Sequence, residues 1–239
     1  MKHEERIPDQ QTTRRSFLAA ATLALPSFPA IARPGTCDVP AQDKPLHHPI
    51  IDCHTHFYDP ARPAGVPWPS KDDKVLYRRV LPEHFKALAG PLGVTGTVVV
   101  EASPWVEDNQ WVLDLGKDDP FIVGLVGHLK PGAEEFGKHL KRFAKNPLFR
   151  GIRINSGDLS KGLEHDSFTD DLKRLTDNDL ELDVNGGPDM PNVVARLARR
   201  LPDLRVVINH VANVRIDGKD VPAEWLEGMQ AAAKNRRVF

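Results

Sequence analysis

Two cysteines in 239 residues leave almost no room for a disulfide framework. Cys37 falls in a Pro-rich polar stretch and Cys53 in a short apolar run, so a bridge between them is a poor prospect even in an oxidising compartment. Cys53 is read as a small core residue. Charge of either sign is also not in excess: 32 Lys and Arg stand against 33 Asp and Glu, a net charge of −1. That balance offers nucleic acid or an anionic membrane no general attraction, and no local basic patch replaces it. Long hydrophobic runs are missing as well. The most apolar segment, "FLAAATLALPSFPAIA", is too short and too broken by proline to span a bilayer. Neither an internal repeat nor a low-complexity tract occurs.

That segment has a different use. Paired Arg14 and Arg15 precede Phe17 and Leu18, and Ala30-Ile31-Ala32 closes the run as a small-x-small cleavage site. Residues 1–32 are similar to a twin-arginine signal peptide. The similarity implies passage through the twin-arginine export machinery, cleavage after Ala32, a periplasmic location and no stable membrane insertion afterwards. Cys37 lacks the small apolar residues that precede a lipidated cysteine. Residues 33–48, rich in proline and polar side chains, read as a linker.

From residue 49 the pattern alternates. "PIID", "TGTVVVEA", "FIVGLVGHL", "FRGIRI", "LELDV" and "LRVVINH" are short runs, several almost continuously apolar, as strands covered on both faces require. Between them apolar residues recur at helical spacing: Phe136, Leu140 and Phe143; Phe168, Leu172 and Leu175; Val194, Leu197 and Leu201 after Pro191; Trp225, Met229 and Ala232. Strand–helix alternation with short connections predicts right-handed βαβ units around a parallel sheet. Six units are present, and "RRVF" opens a seventh strand. A closed eight-stranded barrel typically takes about 250 residues. The fold class is therefore α/β, a (β/α)8 TIM-barrel type over residues 49–239, incomplete before strands seven and eight. The rival is an open doubly wound sheet of six strands.

Chemistry concentrates at strand ends. In "PIIDCHTHFYDP", His54 and His56 stand at i and i+2, on one side of a strand and about 6.6 Å apart along it. His210 ends "LRVVINH" at the same relative height. Neutral imidazoles there suit a transition metal or can polarise a carbonyl. Arg153 and Glu101 are charges in apolar runs, so each needs a partner or a ligand. They either pair with each other, or Arg153 grips a substrate carboxylate or ring oxygen. Asp183 and Asn185 close the fifth run on a common face. The connection from Phe57 to Pro82, Pro-rich and carrying Trp68, is long for such a unit and predicts a lid over the site. His84, His128, His139 and His165 have no comparable spacing and read as structural.

"IIDCHTHFYDP" resembles the first strand of the amidohydrolase superfamily. "GVPWPSKDDKVLYRRVLPEHF", "GVTGTVVVEASPWVEDNQWVLDL", "FIVGLVGHLKP" and "FRGIRIN" are similar to its amidohydrolase-related, lactonase-like branch. The resemblance implies a hydrolase of a small molecule, a lactone of a sugar acid or dicarboxylate, with His54, His56 and His210 as catalytic residues. Arg153, Glu101, Asp183, Asn185 and Trp68 would contact substrate. A divalent metal, zinc or manganese, would sit on His54, His56 and His210 in a metal-dependent member. Two departures stand out. Metal-dependent members end strand five in histidine, where this chain reads "LELDVNGG". The family's strand-eight aspartate, which activates water, has no counterpart within the 239 residues. Without it the resemblance implies little turnover by this chain. Two other readings stay open: a metal-dependent decarboxylase or amide hydrolase of the same superfamily, and a non-catalytic small-molecule-binding protein.

Overall fold

The computed structural model describes residues 48–239. The signal peptide and nearly all of the linker expected from the sequence lie outside them. Six strands form one sheet: β1 (Ile50–Thr55), β2 (Val94–Val100), β3 (Ile122–Gly127), β4 (Phe149–Asn155), β5 (Glu181–Asn185) and β6 (Arg205–Ile208). Each is parallel to the next, and their order in space is their order in sequence. A doubly wound sheet reverses its strand order at a switch point. This one never does, so its six βα units belong to an incomplete (β/α)8 barrel. Val238 continues the series, pairing in parallel with Val206 while the Ile208 N–H donates to the Phe239 carbonyl at 2.9 Å.

The helices are α1 (Pro82–Ala89), α2 (Val106–Gly116), α3 (Phe136–Phe143), α4 (Ser156–Gly162), α5 (Asp166–Asp177), α6 (Met190–Arg200) and α7 (Ala223–Ala232). The apolar spacings land where the sequence put them. Phe136, Leu140 and Phe143 are buried from α3, Phe168, Leu172 and Leu175 from α5, and Val194 and Leu197 from α6. They meet Ile152, Leu182, Val184 and Val206 of the central strands in one core. Among the described residues no helix is long and apolar enough to cross a membrane.

β1 departs from the expected burial. It lies at an end of the sheet, with β2 as its neighbour, and its residues Ile50 and Ile51 are 51% and 37% exposed. Cys53 shares the face of Ile51 and is exposed too, which corrects its reading as a core residue. An apolar run signals burial only where a second layer covers the strand, and an edge strand lacks that cover. The sequence records the run, not its position in the sheet. β1 stays attached through two threonines: Thr55 Oγ1 and Thr97 Oγ1 lie 2.8 Å apart, and Thr97 also donates to the Asp52 carbonyl.

Candidate active site

β1 and β2 fall out of register between Asp52 and Thr55, where β1 carries one residue more than β2. Such a bulge bends a strand and re-aims its side chains, and here it holds His54. The His54 and His56 rings meet edge to face with centroids 5.1 Å apart. His210 arrives from the far end of the sheet, its ring centroid 4.6 Å from that of His54. Three imidazoles from the first and last full strands thus share one rim.

His210 is not the last residue of its strand. β6 stops at Ile208, and His210, Val211, Ala212 and Asn213 turn in the left-handed region with φ between 47° and 58°. For residues with a Cβ that conformation costs roughly 1–2 kcal/mol each. Side chains hold it in place: Asn213 Nδ2 donates to the Gly186 carbonyl at 2.8 Å, and Trp225 Nε1 from α7 donates to the Val211 carbonyl at 3.0 Å. Strain of this kind persists only where its surroundings over-determine it.

Electrostatics separates the histidines. Burial foremost, then the proximity of His56, His210 and Arg153, lowers the pKa of His54 to about 4. Its Nε2 is buried and has no hydrogen-bond partner. His56 is lowered as well, chiefly by burial. Its Nδ1 lies 2.9 Å from the Val100 carbonyl oxygen. A carbonyl only accepts, so Nδ1 carries the proton and neutral His56 presents an unprotonated Nε2.

Arg153 and Glu101 meet, as one of the two sequence readings required. Arg153 Nε donates to Glu101 Oε1 at 3.0 Å and Nη2 to the Glu101 backbone oxygen at 2.7 Å, with both side chains under 20% exposed. Burial outweighs this pairing and raises the Glu101 pKa. Pairing does not exhaust Arg153, whose Nη1 remains to meet a ligand. Asp183, opposite Arg153 in the β4–β5 register, is buried, and burial raises its pKa. It accepts from Asn209 Nδ2 at 3.0 Å through one oxygen while its Oδ1 has no partner.

A cavity of about 1020 Å³ opens above these strand ends. His56, Trp68, Glu101, Arg153 and Asn185 line it, together with His128, Lys130, Lys161 and His165. Four of the five substrate-contact candidates are therefore on its wall. Asp183 is not among the residues that line it, whereas Asn185, two residues nearer the end of β5, is. His54 and His210 stand behind His56. Sequence spacing missed His128 and His165, since a single histidine after a strand carries no pattern. The signal was positional, because His128 directly follows β3. Buried Asn109 fixes that exit, donating to the His128 carbonyl and accepting from its N–H, both at 2.8 Å. A Cβ on Gly127 would fall 2.3 Å from Asn109 Oδ1, so only glycine fits there.

The connection after β1 covers one end of this cavity. Tyr58 and Val80 close its base as an antiparallel bridge, and the Trp68 ring lies 5.9 Å from that of His56 and 5.2 Å from that of Tyr58. Its anchor is Arg62, paired with Asp108 of α2 and stacked 4.5 Å over Trp111. Replacing Arg62 with alanine is expected to free the loop, so that trypsin cuts after Lys71 and Lys74 well before the domain is degraded. Ligand affinity should fall about tenfold, the cost of ordering the loop anew. Unchanged proteolysis would show that Arg62 is not the anchor.

Six parallel βα units carry imidazoles, an arginine and a large cavity at their C-terminal rim, where active sites of βα barrels sit. The amidohydrolase family model matches residues 51–239. An L-fucono-1,5-lactonase from Burkholderia ambifaria is 32% identical over 168 residues, which are 68% of this chain and 56% of that protein. The chain belongs to the amidohydrolase family and spans little more than half the length of that curated relative. An amidohydrolase from Burkholderia multivorans with bound zinc superposes with a TM-score of 0.70 at 21% identity, over 80% of this chain and 68% of the other. A probable 2-pyrone-4,6-dicarboxylic acid hydrolase from Acinetobacter baumannii with bound citric acid gives 0.57 at 17% identity, over 78% and 66%. At those identities the two structures speak for the fold.

Proposed function

We propose that this chain binds lactones in the 1020 Å³ cavity and opens them by hydrolysis. The observation that carries the reading is the convergence of His54, His56 and His210 beside Arg153 at the strand ends. The lactonase relative supports it.

The groups present suggest the following division of labour. Water attacks the ring carbonyl carbon while His56 Nε2, its lone pair free, takes the water proton. The carbonyl electrons move to oxygen, where Arg153 Nη1 donates to the developing oxyanion. Collapse breaks the ring carbon–oxygen bond, and the proton passes from His56 to the departing alkoxide, leaving a hydroxy acid. This makes His56 the base rather than the group that polarises the carbonyl, the part open to any of the three imidazoles from the sequence. Burial lowers the pKa of His56, so the base stands unprotonated at neutral pH but is a weaker acceptor than an ordinary imidazole.

The second reading, a metal-dependent decarboxylase or amide hydrolase, draws on one observation. A histidine braced through Nδ1 to a carbonyl, as His56 is, resembles a metal ligand held by its outer partner. The residues do not complete such a site. Among the described residues no group of three or more His, Cys, Asp or Glu is arranged to hold a metal ion.

A lactone panel assayed with the full-length protein, before and after chelation, tests both readings. Hydrolysis that survives the chelator is the expected result. Stoichiometric zinc or manganese, lost together with activity, would overturn it in favour of the metal-dependent reading. Residues 1–32 are proposed to route this site to the periplasm.

A further inference from the structure

The helix layer carries a second recess, a groove of about 380 Å³ that shares no lining residue with the strand-end cavity. Gly137, Leu140, Lys141, Ala144 and Lys145, one face of α3 and the residues just past it, form one wall. Arg174 and Asn178, a turn apart at the end of α5, form the other. No carboxylate lines it. The even charge balance of the sequence predicts no basic patch. This one forms only because α3 and α5 bring their cations side by side, which corrects that expectation.

The charges of α3 divide by face. Lys138 pairs with Glu135 and Arg142 with Glu107, and neither cation lines the groove. Lys141 and Lys145, which do line it, have no ion pair among the described residues. Arg174 is braced from behind. Its Nη1 lies 3.3 Å from Oδ1 of Asp171, a buried carboxylate whose Oδ2 accepts from the Gly132 N–H at 2.7 Å. The guanidinium rests against Gly137, where a Cβ would fall 2.7 Å from Nη1. Among the described residues its Nε and Nη2 have no acceptor, so part of the fork is left to meet a ligand.

Three cations thus converge on a recess floored by Leu140 and Ala144, and the nearest carboxylate, Asp171, is buried and already engaged. Surplus positive charge beside apolar walls concentrates anions. A pre-set arginine fork fits paired phosphate oxygens, and two mobile ammonium groups answer the remaining charge.

We propose that the groove between α3 and α5 is an oxyanion site that takes a phosphate group, carried by a small soluble ester or by a lipid head. It stands apart from the lactone reading and does not depend on it.

Calorimetry of the full-length protein with inorganic pyrophosphate tests the soluble source. One-to-one binding is expected, weakened at least about tenfold by Lys141→Gln combined with Lys145→Gln, as the loss of charge-assisted contacts requires. Gly137→Ala should weaken it too, by pushing the guanidinium aside, while alanine suits the helix. Lys138→Gln with Lys173→Gln removes the same charge outside the groove. At physiological ionic strength that control should weaken binding no more than about twofold, because distant charges are screened. All four lysines are exposed, so both double variants should fold as the parent does. Flotation with phosphatidylcholine vesicles that contain phosphatidic acid tests the lipid source. Pyrophosphate binding lost in the groove variants and kept in the control upholds the site; if the vesicles alone bind, with the same pattern of loss, the lipid head is its ligand. Binding of neither, binding untouched by the groove variants, or equal loss in the control would overturn the proposal.

Discussion

Replacing His56 with alanine is expected to lower the proposed lactone hydrolysis by at least about 100-fold, the usual loss when a positioned base is removed. The bond from Nδ1 to the Val100 carbonyl makes this side chain the proton acceptor, since it leaves only Nε2 to face the cavity. Added imidazole should restore part of the lost rate in the alanine variant, which a merely structural defect would not allow. The parent's pH profile carries the same signature. Burial holds His56 below the ordinary imidazole value of 6.5, so the base is already unprotonated at neutral pH. The rate should be flat above pH 7 and should fall on the acid side only below 6.5. Full activity in His56→Ala, or no rescue by imidazole, would remove the residue from the chemistry.

Arg153→Met has the largest expected effect on stability. The substitution keeps an unbranched stem of similar packing but removes the guanidinium, stripping Glu101 of both its charge partner and two donated hydrogen bonds. Breaking a buried pair from one side costs about 3 kcal/mol, or about 10 °C in Tm for a domain of this size. Adding Glu101→Gln should return at least half of that, because no buried charge is then left alone. The pH dependence follows from the sign of the shift. Glu101 is already raised above the usual 4.5 by burial, and losing Arg153 raises it further. A carboxyl raised in the folded state holds its proton more tightly there, so its destabilising effect grows as pH rises through and above 4.5. The gap between variant and parent should thus be wider at pH 8 than at pH 5. A gap that widens on acidification would show that some other group sets the loss.

Much of this architecture is legible in the residue order. Val, Ile and Leu runs separated by helical spacings give six parallel strands, and the reach of His54 and His56 follows from their place at the end of the first. Sheet order is not legible, because alternation is the same whether the strands march round a ring or double back; only their pairing decides. Burial at the edge is equally hidden, and Cys53 sits in an apolar run whose outer cover the sequence does not specify. The site divides the same way. Arg153 and Glu101 announce themselves as charges in apolar company, since burying them unpaired would cost too much. Lys130, Lys161 and His128 do not, because a lysine beyond a strand looks like any solvated lysine until a cavity is found beside it.

The reversed hand of the four residues from His210 to Asn213 limits how this rim could be transplanted. A designer who copied only the histidine onto an ordinary turn would mirror the path of the backbone and aim the ring elsewhere. The graft would have to bring Asn213 and Trp225 along, with the carbonyl of Gly186 to receive the first, and it would tolerate insertion between residues 208 and 213 poorly. Loops around a barrel mouth are usually the interchangeable part of the architecture; at this corner the backbone has forfeited that freedom.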